Sequence, residues 1–152
     1  MGNASFEPLR VGLIGCGNIA GGYGRSLSTR PDLVHITGAF DLDTTKRDAF
    51  TNEYGGQGFE SVEALLASPD IEAIINLTAH HAHAEISSMA MMAGKHVHSE
   101  KPLAGSREDG RMLLELAEKH DVILSCSPFT FLGEGQQTVW KLIRDGAIGE
   151  VR

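Results

Sequence analysis

The 152-residue sequence is poor in cysteine: Cys16 and Cys126 are the only two, they lie far apart, and each sits in an apolar, strand-like setting. That excludes a disulfide framework and reads as two reduced thiols in a cytoplasmic protein. Long apolar runs are missing too. No stretch approaches the roughly 20 residues of a membrane span, and the opening "MGNASFEPLR" has no apolar core of the signal-peptide kind. Its Met1-Gly2 start invites N-myristoylation, but Ala4-Ser5-Phe6 matches that motif poorly. Clustered positive charge is absent as well. Thirteen Lys and Arg are scattered against 20 Asp and Glu, a net charge of −7, which argues against a nucleic-acid surface. There are no repeats and no low-complexity linker, so residues 1–152 are expected to form a single domain.

What the sequence does have is glycine, 18 residues of it, and a regular alternation of short apolar runs with helical patterns. Strands are expected over Leu9 to Ile14, Val34 to Phe40, Ile71 to Leu77, His96 to His98 and Val122 to Cys126, most of them nearly continuous in apolar residues. Helices are expected over Asn18 to Thr29, Thr44 to Tyr54, Val62 to Ala67, His81 to Ala93, Arg107 to His120 and Glu134 to Asp145. Ser61 and Ser106 suit N-caps, and Gly94 stands where a helix C-cap is wanted. This β-α-β succession predicts an α/β fold with a doubly wound, mainly parallel sheet and helices on both faces, a three-layer αβα arrangement.

In such sheets ligands bind beyond the carboxyl ends of the strands. The first strand runs into Gly15-Cys16-Gly17-Asn18-Ile19-Ala20, which fits G-x-G-x-x-A. Gly15 allows a tight turn, Gly17 lets backbone approach a pyrophosphate, and Ala20 lets the helix pack close to the strand. By itself the motif is also compatible with a ligand-free β-to-α turn. The second strand ends at Asp41, about 20 residues on, where a carboxylate can accept from the adenosine ribose hydroxyls and would repel a 2′-phosphate. NAD is therefore favoured over NADP, although Asp41 and Asp43 could also be turn and cap residues, and Lys46 or Arg47 could soften the repulsion by swinging inward.

The third strand leads into "NLTAHHAHAE", where Asn76 and Thr78 can bond a cofactor or fix the loop beside it. His80, His81 and His83 invite a metal, but adjacent side chains at a helix start point to different faces, so capping or substrate contact ranks above it and no metal site is expected. The fourth strand leads into "HSEKPLAGS". Pro102 holds Lys101 extended at the strand end, where Glu100 can hold the ammonium or contact the nicotinamide ribose and Lys101 can serve as donor or proton shuttle. A surface salt bridge is the competing reading of that pair.

Taken in order, "VGLIGCGNIA", "AFDLD", "NLTAHHAHAE", "AGKHVHSEKPLA" and "KLIRDGAIGEV" resemble the glucose-fructose oxidoreductase, inositol dehydrogenase and rhizopine-catabolism (Gfo/Idh/MocA) family from about Leu9 to Val151. The resemblance implies an N-terminal Rossmann-type domain for NAD(P), with cofactor contacts from Gly15, Gly17, Asn18, Ile19, Asp41, Asn76, Thr78, His83 and Glu100, and Lys101 as the catalytic lysine. It implies hydride transfer between a nicotinamide cofactor and a hydroxyl or carbonyl of a sugar, cyclitol or similar polyol. Relatives commonly carry a proline after the threonine matching Thr78, where this chain has Ala79-His80. They also carry a C-terminal substrate domain that commonly mediates oligomers, and this sequence is expected to lack it, with 146–152 resembling its lead-in. A chain of this kind would bind NAD and show little turnover alone, as a non-catalytic binding module or truncated fragment would. A SAM-dependent methyltransferase fits Asp41 and the Glu-Lys-Pro segment poorly. Apolar surface around Trp140, Leu142 and Ile148 offers a route to self-association, and hence to a homo-oligomer.

Overall fold

The computed structural model describes residues 7–128 and 130–150; the Met1-Gly2 start and the last two residues of the 146–152 lead-in lie outside them. In chain order the elements are β1 (Leu9–Ile14), α1 (Ala20–Ser28), β2 (Val34–Phe40), α2 (Thr44–Tyr54), β3 (Gln57–Gly58), α3 (Val62–Ala67) and β4 (Ala73–Asn76). A 3-10 turn (His80–Ala82) then leads into α4 (His83–Met92), followed by β5 (His96–Ser99), α5 (Arg107–Lys119), β6 (Leu124–Cys126), a second 3-10 turn (Thr130–Leu132) and α6 (Glu134–Arg144). The strands form one sheet in the order β3-β2-β1-β4-β5-β6, all parallel. This is the doubly wound Rossmann order.

Successive strand residues point to opposite faces, and both faces are covered. Val11, Leu13, Ala73 and Ile75 pack with Ala20 of α1 and Phe50 of α2, while Ile14, Ile74 and Val97 pack with Leu65 of α3, Met91 of α4 and Leu113 of α5. Two-sided burial is why these strands read as continuous apolar runs rather than alternating ones. Local chemistry sets the helix limits. The Ser61 and Ser106 hydroxyls accept from Ala64 N and Asp109 N, and Asp43 accepts from Thr45 N. Gly94, at φ 75°, closes α4 by donating to Met91 O while Lys95 N donates to Ala90 O, the paired bonds of a Schellman ending.

The last expected strand shortens from Val122–Cys126 to Leu124–Cys126, the residues that pair with β5, and other bounds shift as well. The first helix starts at Ala20 instead of Asn18, because residues 17–19 form a turn closed by Ala20 N donating to Gly17 O at 3.0 Å. The helix expected from His81 is split into a 3-10 turn and α4. The third expected strand shortens to Ala73–Asn76, since only these residues pair with both β1 and β5. The two-residue β3, paired with Gly38 and Ala39, has no apolar run to announce it. Along α6 the apolar positions Val139, Trp140, Leu142 and Ile143, with Ile148 beyond, are exposed, as the self-association reading expects.

Leu13 is fully buried on the α1 side of the central strand. Leu13→Ala is expected to cost about 2–5 kcal/mol, read as a lower urea midpoint at unchanged m-value, and a loss under about 1 kcal/mol would contradict this packing.

Candidate functional site

The strand order reverses between β1 and β4, and the crevice there is framed by the loops that follow them. These loops touch at residue 15. Gly15 has φ 97°, and a Cβ on it would lie 2.7 Å from the carbonyl carbon and oxygen of Leu77 and 2.9 Å from Thr78 N. Only glycine satisfies both the dihedral and the contact. Gly17 has the opposite surroundings, since a Cβ there would meet nothing within 4 Å. Ile19 begins α1 without any side-chain cap, and among the described residues the N–H groups of Gly17, Asn18 and Ile19 have no hydrogen-bond partner. Ala20 is buried against the sheet. A helix N-terminus therefore presents unspent donors and its positive dipole end to open space.

Asp41 flanks this loop and is already engaged. One carboxylate oxygen accepts from Cys16 N at 2.7 Å and the other from Asp43 N at 2.8 Å. Each oxygen retains acceptor capacity for one further donor. The alternative of a turn-fixing aspartate is thus real geometry. Lys46 lies 3.6 Å from Asp43. Arg47 cannot swing inward as the sequence allowed: it is buried, donating to Asp48 at 2.8 Å, Phe59 O at 3.0 Å and Glu60 at 2.9 Å. Cys16 lies in the loop after β1, not in a strand, and burial together with the Asp41 charge pushes its thiol up to about 12.

Asn76 is fully buried and its amide is spent inside the fold. Its NH₂ donates to His83 O and the Ser87 hydroxyl at 3.1 Å each, and its oxygen accepts from Thr78 N at 3.2 Å and the Thr78 hydroxyl at 2.7 Å. Of the two readings of Asn76, this geometry is the loop-fixing one. His83 is buried as well, with Nδ1 2.6 Å from Pro102 O and Nε2 2.9 Å from Thr78 O. It bridges the loops after β4 and β5, with both ring nitrogens taken up by those contacts. His80 and His81 are exposed on the 3-10 turn, their rings edge to face 5.6 Å apart. The three rings do not converge, and among the described residues no cluster of three metal-ligating side chains occurs.

At the end of β5, Lys101 is exposed, its peptide bond to Pro102 is cis, and its backbone N–H donates to Glu100 Oε2 at 3.0 Å. Among the described residues its ammonium joins no ion pair, so the surface salt bridge weighed from the sequence is not formed. Nor does the Glu100 carboxylate hold that ammonium. It turns inward, where the Tyr23 hydroxyl donates to Oε1 at 2.8 Å. Burial raises the Glu100 carboxyl, but the Tyr23 donor, the Lys101 N–H and the Lys101 charge outweigh it and hold the group below its ordinary value. Burial also lowers His98, against the pull of Glu100, and raises Tyr23. Tyr23, His98 and Glu100 line a cleft of about 780 Å³ whose wall is mostly apolar, with Val11, Leu27, Val34 and Ile75 beside Asn18 and Ile19. Tyr23 and His98 escaped the sequence reading. Their signals were the inner helix position three residues after Ala20 and the strand position two before Glu100.

The family model for an oxidoreductase family with an NAD-binding Rossmann fold (Gfo/Idh/MocA) matches residues 9–127. The dTDP-3,4-didehydro-2,6-dideoxy-alpha-D-glucose 3-reductase of Actinomadura kijaniata is 33% identical over 150 residues, which cover 98% of this chain and 45% of that protein. The 1,5-anhydro-D-fructose reductase of Ensifer adhaerens is 32% identical over 143 residues, covering 92% and 42%. The crystal structure of KijD10, a 3-ketoreductase from Actinomadura kijaniata in complex with NADP, superposes with a TM-score of 0.86 at 33% identity over 96% of this chain and 47% of that one. The chain thus spans less than half the length of the curated relatives it matches.

His98 and Glu100 both bind protons more weakly in the fold than in the open chain, so stability should fall as pH drops. Their contribution is complete above the unfolded histidine value of about 6.5; His98's share is lost as pH falls from there through its depressed folded value, and Glu100's at lower pH. Urea midpoints measured from neutral pH downward should decline, and His98→Gln should flatten the first part of that decline; an equal decline in the variant would contradict the assignment.

Proposed function

The chain belongs to the Gfo/Idh/MocA oxidoreductase family, and from that premise we propose that it holds NAD through the loop after β1 and carries the catalytic lysine of a sugar or cyclitol oxidoreductase. The observation that carries the reading is the set of unpartnered N–H groups of Gly17, Asn18 and Ile19 at the uncapped start of α1. They fit a pyrophosphate, with Gly17 leaving the space for it. Asp41 offers its remaining acceptor capacity to the adenosine ribose, and a 2′-phosphate at that place would face the charges of Asp41 and Asp43, with Lys46 beside Asp43 as a partial offset. KijD10 holds NADP, which favours the other cofactor and makes the comparison of the two the decisive one.

When bound, the nicotinamide would supply the hydride acceptor or donor. Lys101, unpaired at the strand end, would donate to or take a proton from the substrate oxygen, and Glu100 fixes the segment that presents it. The named relatives act on sugars, and a sugar or cyclitol hydroxyl or carbonyl is the proposed substrate class. This chain spans 45% of the length of the 3-reductase it matches, so what is proposed for these 152 residues themselves is cofactor binding and the presentation of Lys101.

Titration calorimetry with NADH and NADPH tests the reading. NADH is expected to bind, and more tightly than NADPH. Binding of neither would overturn the proposal, and tighter NADPH would overturn the role given to Asp41.

A further inference from the structure

The Tyr23 hydroxyl sits among three polar partners contributed by two strand ends: Glu100 Oε1 at 2.8 Å and His98 Nε2 at 3.2 Å from β5 and its end, and Ser127 Oγ at 3.1 Å just after β6. A phenol has one proton to give and two lone pairs to receive with. The shortest contact is to a carboxylate that can only accept, so the tyrosine proton goes to Glu100. The other two partners must then donate to the tyrosine oxygen. Ser127 can do so with its hydroxyl, and His98 only if Nε2 carries a hydrogen.

We propose that Tyr23 is the positioning residue of this site, fixing the Glu100 carboxylate next to Lys101 and locking His98 as the Nε2–H tautomer. The far side of the ring is compatible with this: Nδ1 lies 2.9 Å from the Ser125 hydroxyl, which can give its proton to a bare ring nitrogen in place of its longer, 3.4 Å contact to Val97 O. Burial, which holds His98 below the ordinary imidazole range, keeps the ring neutral as this pattern requires. The result is an oriented chain in which Ser125 donates to His98, His98 to Tyr23, and Tyr23 to Glu100, whose second oxygen takes the Lys101 N–H at 3.0 Å. All three hydrogen-bonding places on the phenol are filled, so its rotation is stopped. Because Tyr23 lies one turn into α1, the helix that begins at the open glycine loop is tied to the strand end that presents Lys101. The relevance to catalysis rests on the dinucleotide reading above; the tautomer does not.

The test is a long-range ¹H–¹⁵N spectrum of the labelled chain at neutral pH, with the His98 ring assigned by its disappearance in His98→Gln. Protonated Nε2 and bare Nδ1 are expected, and an Nδ1–H or averaged ring overturns the proposal. In Tyr23→Phe the Glu100 carboxyl, followed by ¹³C, should titrate higher, toward the ordinary value of about 4.3, and His98 should average between tautomers. An unmoved Glu100 midpoint in the folded variant overturns the positioning role. Should the variant not fold, the wild-type spectrum alone decides. The Nε2–H tautomer in a chain that binds neither NADH nor NADPH would support the hydrogen-bond chain and overturn the cofactor reading.

Discussion

At residue 15 the backbone leaving the central strand passes so close to the backbone leaving its neighbour that no side chain fits between them. Much else in the site depends on that contact. It brings the loops after β1 and β4 together where the strand order reverses, and it aims the next residues outward as the uncapped start of α1. The crevice is therefore a consequence of parallel pairing plus one missing Cβ.

Beneath the crevice lies a second layer of polar residues, each of which joins chain segments. Asn76 ties the end of β4 to α4 and His83 bridges the loops after β4 and β5, while the half-buried Asp41 at the rim clamps the loop after β1 to the loop after β2 and keeps acceptor capacity on both oxygens. Buried polar groups of this kind are costly unless fully paired, and their pairing holds the strand ends in one arrangement. Around the strand ends, the N–H groups of Gly17, Asn18 and Ile19 and the Lys101 ammonium have no partner among the described residues, and all four residues are exposed. That division between committed and free groups is the physical basis for reading the outer set as ligand-binding.

Much of this was legible in the sequence. The bounds of β1, β2, α2 and α3 follow from two-sided burial and from caps that act within a few residues, and the local pattern carries both. The glycine loop, Asp41 and Lys101 stood out because motif spacing places them at strand ends. What the sequence could not disclose depends on distant partners. Arg47 looked free until Phe59 O and Glu60 were seen to hold it, and Glu100 looked like the partner of the Lys101 ammonium until Tyr23, 77 positions earlier, was seen to claim it. No local pattern announces such pairings, because they arise only when the fold sets the segment after β3 against α2 and the end of β5 against α1.

Amide chemical-shift mapping during a titration of the ¹⁵N-labelled chain with NAD reaches the central claim most directly. The account predicts the largest shifts at the Gly17, Asn18 and Ile19 amides, with further shifts at the backbone around Asp41. The buried side-chain amide of Asn76 should keep its protection throughout. Saturable binding that leaves the three loop amides unmoved, or that shifts the α6 surface instead, would contradict it.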